Sequence, residues 1–386
     1  MVFALNGAVF GSWVARIPDA ADRTRSTPAV LGLALLAVAA GAVVAMPLVG
    51  RLCLQLDSRL VVGTAAATNC LALPLLALPR SPVTLAAALA VFGASTGATD
   101  VSMNTNAIAA IANLGRPVMP VFHGAFSAGG MAGAVLGGLA AAHLGMGLHF
   151  SAAAVVGLAV LAVAYRRLPV DRPIPSTGTR AAPAARRIDA TIAVLGAVVF
   201  CVALGEGAMG DWSALFLRDV LGSGATMAAA GYAVFSVTMA VSRFSGAAVL
   251  GRCGPARTLV GSCGLAAVGA LIVALSPGPA VALVGFAAVG AGLAYGFPVG
   301  LAAAGAHPSG AGPAIGIVTA IGYTGFLTGP PLIGLAAQQA GLRVGILLVA
   351  VAAAVGLLLG VSRRRLFAAD AAGPPRPAPL RRQPRR

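Results

Sequence analysis

Five ionisable side chains lie inside stretches that are otherwise apolar: Asp100, His123, Glu206, Asp211 and Arg243. A charge held away from water costs several kcal/mol unless it is paired or hydrated, so such groups mark ion or substrate pathways by default. Glu206 is the first candidate for a group that binds and releases protons, with Asp100 and His123 next and Asp211 beside them. His123 suits a relay because imidazole titrates near neutral pH. Arg243 suits neutralisation of a carboxylate or capture of an anionic solute. Polar and aromatic neighbours that could contact a solute are Asn6, Trp13, Asn104, Trp212, Tyr295 and Tyr323. Each has a plainer alternative. Glu206 and Arg243 could lock two helices together, Trp212 could belong to an interfacial aromatic belt, and Tyr295 and Tyr323 could be core packing.

Other chemistries find little support. The five cysteines (Cys53, Cys70, Cys201, Cys253, Cys263) form no CxxC pair, and the four histidines show no HExxH grouping, so neither a metal nor a cofactor is expected. Gly290-Ala-Gly292-Leu-Ala-Tyr-Gly296 loosely matches a dinucleotide loop but lies within an apolar run with no preceding strand. No nucleophile–base pair sits near a polar boundary, so an enzyme is not expected.

The elements that must position these groups follow from composition. Of 386 residues, 59% are hydrophobic and 9% charged, and the mean hydropathy is +0.93. A soluble domain carries about a quarter charged residues. Apolar runs long enough to cross a bilayer recur throughout, over about 1–17, 28–50, 60–79, 82–106, 118–142, 148–165, 190–212, 226–250, 256–275, 279–303, 311–337 and 341–361. The expected fold is an all-α membrane protein of about twelve transmembrane helices in two pseudo-symmetric six-helix bundles, 1–165 and 191–361. A basic linker, 166–190, joins them, and a basic, proline-rich tail, 362–386, has the composition of disorder. The net charge of +16 comes from 26 arginines and no lysine. They lie between apolar runs and in the tail rather than on one face, so a nucleic-acid partner is not expected. With both termini placed in the cytoplasm, 20 of the 26 fall inside, as the positive-inside rule requires.

The halves repeat. GLAAAHLG (138–145) matches GLAAQQAG (334–341) at an offset of 196. NGAVFGSW (6–13) matches EGAMGDW (206–212) with a one-residue slip, which pairs Asn6 with Glu206. Gly93 and Gly97 match Gly292 and Gly296, and Gly50-Arg51 matches Gly251-Arg252. Such spacing implies a duplicated six-helix unit with parallel halves. By the same offset the first helix is short, and a further N-terminal stretch is expected. Glycines of the fifth and eleventh spans (Gly124, Gly129, Gly133, Gly138; Gly322, Gly325, Gly329, Gly334) suit close helix packing or sliding faces. Pro298 and Pro330-Pro331 should kink or break their helices.

With the strings MVFALNGAVFGSWVARIPD, FGASTGATDVSMN, MPVFHGAFSAGG, EGAMGDW, YGFPVGLAAAG and GYTGFLTGPPLIG, the chain resembles the major facilitator superfamily over essentially its whole length. It is most similar to a poorly characterised bacterial inner-membrane branch that includes the rhizopine-locus membrane protein, and more distantly to the fucose–proton symporter group. The resemblance implies alternating access and proton coupling. Asp100, Asn104, His123, Glu206, Asp211, Trp212 and Arg243 fall on polar positions of the branch. Two departures stand out. Leu54 replaces the acid of the family's inner loop, with Asp57 displaced, so that charge latch should be weak. Gly138 replaces the proline of the antiport pattern, which argues against drug–proton exchange. The expectation is a monomeric secondary transporter in the bacterial inner membrane, moving protons and a small sugar- or polyol-like solute. The rival readings are proton-driven efflux and a sensor derived from a permease.

Overall fold

The computed structural model describes residues 1–114, 119–170, 188–308 and 311–367. Most of the linker and the tail lie outside these residues. The helices are α1 (Val2–Val14), α2 (Ile17–Thr24), α3 (Pro28–Gln55), α4 (Ser58–Leu75), α5 (Pro82–Leu114), α6 (Met119–His143), α7 (Met146–Tyr165), α8 (Ala190–Leu215), α9 (Ala225–Phe244), α10 (Gly246–Cys253), α11 (Pro255–Leu275), α12 (Pro279–Leu293), α13 (Gly296–Gly305), α14 (Ala311–Ala340) and α15 (Leu342–Ser362). A π-helical turn, Phe216–Val220, extends α8. No strand occurs among the described residues.

Local chemistry sets the boundaries. Proline opens α3, α5, α11 and α12, where its missing N–H costs nothing. Asp57 and Asp189 cap α4 and α8 through their side chains. Gly254 and Gly341, with φ of 76° and 85°, sit at the turns before α11 and α15, a backbone region that other residues enter at a cost.

Ten helical segments are long and apolar enough to cross a membrane, so the protein is multi-pass. The two other expected spans are α1, with 13 residues, and α4, with 18. In α4 the threonines and Asn69 dilute the apolar run. Two spans are broken. The tenth separates into α12 and α13 at Ala294–Tyr295, and Pro298 explains the place, because its ring excludes the carbonyl four residues earlier. The eighth separates into α9 and α10 at Ser245. Contrary to expectation, α14 runs unbroken through Pro330-Pro331.

Helices α1 to α7 and α8 to α15 form two sets. Within them α1 packs on α6, α3 on α5, α8 on α14, and α11 on α12 and α15. Between the sets, α3 meets α14 and α6 meets α9. The end of the molecule where α7 closes at Tyr165 and α8 opens at Ala190 is called the linker end; the other is the far end. At the far end the sets touch tightly. A Cβ on Gly32 would strike the Pro330 carbonyl oxygen, and one on Gly334 would meet Pro28. Thr226 donates to the Gly138 carbonyl at 3.3 Å. Arg218 bridges the sets to Asp22 at 2.7 Å. The buried residues of α3 are Leu31, Gly32, Ala34 and Leu35, all in its first two turns at the far end, whereas α6 stays against α9 as far as Gly124 and Phe244. The interface is closed at the far end.

Candidate functional site

The expected glycine stripes divide between two tasks. Gly129 and Gly133 of α6 lie against the backbone of Ala4 and Ala8 of α1, inside one set. Gly124 and Gly138 of the same helix face α9, at Phe244 and Ala229. Such close approach brings α6 within side-chain reach of both α1 and α9.

Glu206 stands about 24 Å along α8 from Ala190 at the usual rise per residue, close to mid-span. Arg243 of α9 donates from Nη2 to Glu206 Oε1 at 2.9 Å and from Nη1 to Ser127 Oγ of α6 at 3.4 Å. The network therefore crosses from one set of helices to the other. His123, one turn before Ser127, lies within electrostatic reach of Arg243 and packs edge-on against Phe3 at 5.5 Å between centroids. The pair is 15% and 18% exposed, so the described residues do not fully enclose it.

Asp211 lies on the same helix, five residues nearer the far end. Its carboxylate has no hydrogen-bond or ion-pair partner among the described residues, and the Tyr232 side chain lies within its electrostatic reach. Tyr232 shares a hydrogen bond with Ser236 and packs edge-on against Phe10 of α1, 6.0 Å away. A lone carboxylate among aromatic edges in a membrane span is costly to keep without a counter-charge.

A second polar cluster joins α5 to α14. Asn104 Nδ2 donates to Asp100 at its carbonyl, 2.8 Å, and at Oδ1, 3.2 Å, and Tyr323 shares a side-chain hydrogen bond with Asp100. Tyr323 stacks towards Phe326, which in turn stacks on Phe297. Beside this helix, at the linker end, a cavity of about 420 Å³ is lined by Ile188, Pro313, Gly316, Ala320, Ile321 and Thr324, among others.

Four of the residues expected to contact a solute do not reach the gap in this conformation. Asn6 is 2% exposed; it accepts from Asn69 Nδ2 at 2.9 Å, and Ser95 and Thr96 donate to Asn69. Trp13 and Trp212, repeat partners, are each 1% exposed, and Trp13 packs on Phe92. Tyr295 donates to the Ser242 carbonyl at 2.7 Å, so it joins the break in the tenth span to the break in the eighth, next to Arg243. Its tie is to the backbone of the residue that precedes Arg243. No metal-binding group of His, Cys, Asp or Glu occurs among the described residues.

The sequence profile of the Major Facilitator Superfamily matches residues 1–312. The chain belongs to that superfamily. It is 36% identical over 349 residues to an uncharacterized MFS-type transporter of Yersinia pestis, covering 89% of each chain. It is 30% identical over 359 residues to the membrane protein MosC of Rhizobium meliloti, covering 92% of this chain and 86% of that one. Among solved structures, a mutant of the nucleoside transporter NupG superposes with a TM-score of 0.76 at 15% identity, over 95% of this chain and 98% of that one. A bacterial homolog of the human lysosomal transporter Spinster, inward-facing and occupied, does so with 0.76 at 14% identity, over 95% of each. These distant likenesses establish the all-α facilitator fold.

In this superfamily member several participants carried no sequence signal. Ser127 could have been found, since it follows His123 by four residues and so shares its helix face. Asn69, Tyr232 and the Asp22–Arg218 bridge could not, because their partners are fixed by helix packing. The displaced Asp57 of the inner loop caps α4 by accepting from the Arg59 amide at 2.9 Å. Asn106 secures the same corner through Ser58 and the Pro169 carbonyl.

Proposed function

We propose that this protein is a proton-coupled secondary transporter of a small polar, sugar- or polyol-like solute, with the linker end in the cytoplasm of a bacterial inner membrane. The observation that carries the reading is the ion pair Glu206–Arg243 tied to Ser127 across the two sets of helices. A proton on Glu206 removes the charge that holds Arg243. The guanidinium, with five donors in a fixed fork, is then free to take solute hydroxyls or to tighten on Ser127. Either move changes the contact between the sets, which is what alternating access needs. Asp211, without a partner among the described residues, is a second site for a proton on the far-end side of the pair. Asp100, Asn104 and Tyr323 form the contact that must part and re-form on the linker side of the gap.

The test uses reconstituted vesicles with a pH-sensitive dye inside. A thermal-shift panel of polyols, sugars and amino sugars first identifies a binding solute. Wild type should then move protons with that solute, and uphill accumulation should follow an imposed pH gradient. Glu206→Gln should keep its fold and solute binding yet lose uphill accumulation. Unchanged coupled transport by the folded variant would remove Glu206 from the mechanism. Solute-driven proton flux in the opposite sense would favour efflux, and binding without flux would favour a sensor.

A further inference from the structure

The far end carries six arginines, Arg16, Arg23, Arg25, Arg80, Arg218 and Arg343, against three acids, Asp19, Asp22 and Asp219. All three acids are committed: Asp19 to Arg16 at 2.6 Å, and Asp22 and Asp219 to Arg218. Arg343 donates to the Ala274 carbonyl and lies over the Phe216 ring. Arg23, Arg25 and Arg80 likewise have no acidic partner among the described residues, and they converge on one cavity of about 460 Å³. Arg23 is held there by its bond to the Pro79 carbonyl at 3.1 Å, which ties α2 to the α4–α5 turn. Arg25 is the only described non-glycine residue with a positive φ, 53°, a conformation that costs about 1–2 kcal/mol.

The cavity lies at the far-end boundary of the apolar span that begins at Pro82. Next to Arg80 in the chain, Leu78 is 68% and Val83 79% exposed, as lipid-facing side chains are. Three uncompensated positive charges at this depth attract a phosphate group strongly and repel nothing nearby. We propose that this far-end cavity binds the phosphate of an anionic phospholipid headgroup, with Arg23, Arg25 and Arg80 as its ligands. The acyl chains then lie along Leu78 and Val83. A bound headgroup joins α2 to the α4–α5 turn, and α2 also carries Asp22 of the far-end bridge.

A Val83→Cys protein carrying an environment-sensitive fluorophore, in vesicles of brominated phosphatidylglycerol mixed with phosphatidylcholine, tests this. Quenching at that position should exceed the quenching given by brominated phosphatidylcholine at the same mole fraction. One arginine at a membrane surface is worth about fivefold in anionic lipid, so Arg25→Gln with Arg80→Gln should reduce the preference by about twenty-five-fold. A preference abolished by millimolar inorganic phosphate would assign the site to free phosphate and overturn the lipid assignment. Equal quenching by both lipids in wild type, or an undiminished preference in a variant that melts like wild type, would overturn the site altogether.

Discussion

Asn6 of α1 and Glu206 of α8 occupy the same place in the duplicated unit, and the two halves treat it differently. In the first half the position is a neutral amide, closed inside one set of helices by Asn69, Ser95 and Thr96. In the second it is a carboxylate, partly open, paired with Arg243 and through Arg243 with Ser127 of the other half. The first arrangement satisfies every partner locally and has nothing to exchange. The second puts a removable charge where two rigid bodies meet. Duplication supplies two equivalent scaffolds, and the mechanism proposed above uses the asymmetry: one position ties its own bundle together while the other is the one that would take up a proton.

That contrast can be broken most severely at Arg243. Removing one member of a partly buried ion pair leaves the other charge uncompensated, at a cost of about 3–5 kcal/mol. Arg243→Ala should therefore lower thermal stability in detergent by several degrees at least, and adding Glu206→Gln should restore most of it. Restoration separates the cost of an orphaned charge from simple loss of packing. Asn69→Ala should cost less, about 1–3 kcal/mol, because it leaves the buried Asn6 carbonyl oxygen without its donor. Transport by the folded fraction should be unaffected, since nothing in that network crosses between halves. A coupling defect in Asn69→Ala would erase the distinction drawn above.

Smaller still is the effect expected at the far end. The bridge Arg218–Asp22 is exposed, and such pairs are worth about 0.2–1 kcal/mol. Asp22→Asn should raise labelling of a cysteine placed in the closed far-end gap by up to about fivefold without changing the melting temperature. The smallest effect is at Asp189. The Ile192 amide it caps is the main cause that holds its carboxyl below the usual range, helped by His307 at 2.9 Å. A carboxyl whose folded pKa is depressed adds stability above its unfolded pKa and loses it as pH falls through the folded value. Asp189→Asn should therefore flatten a shallow decline in stability below about pH 4.

How much was legible beforehand varied with the range of the interaction. Twelve spans, the linker position and the repeat came from hydropathy and spacing, which act within a helix or across one fixed offset. The short polar α4 and the unbroken passage through Pro330-Pro331 were not legible that way. Arg243 and Glu206 were visible as charges in apolar runs, yet their pairing was not, since 37 residues and a helix turn separate them. Asn6 and Tyr295 were visible as polar groups, but whether they faced the gap depended on neighbours in other helices.

The amino-acid sequence alone determined that this chain lives in a membrane, that it is built twice, and that very few ionisable groups lie within it. Those conclusions need only the cost of placing charge in hydrocarbon and the length of a helix that crosses it. Tertiary structure alone decided which groups meet, which end of the interface is closed, and that three arginines at the far end share one cavity without an acid. The physical reason is that a side chain's partners come from the close approach of helices distant in the chain, and that approach is set by glycines and breaks acting together.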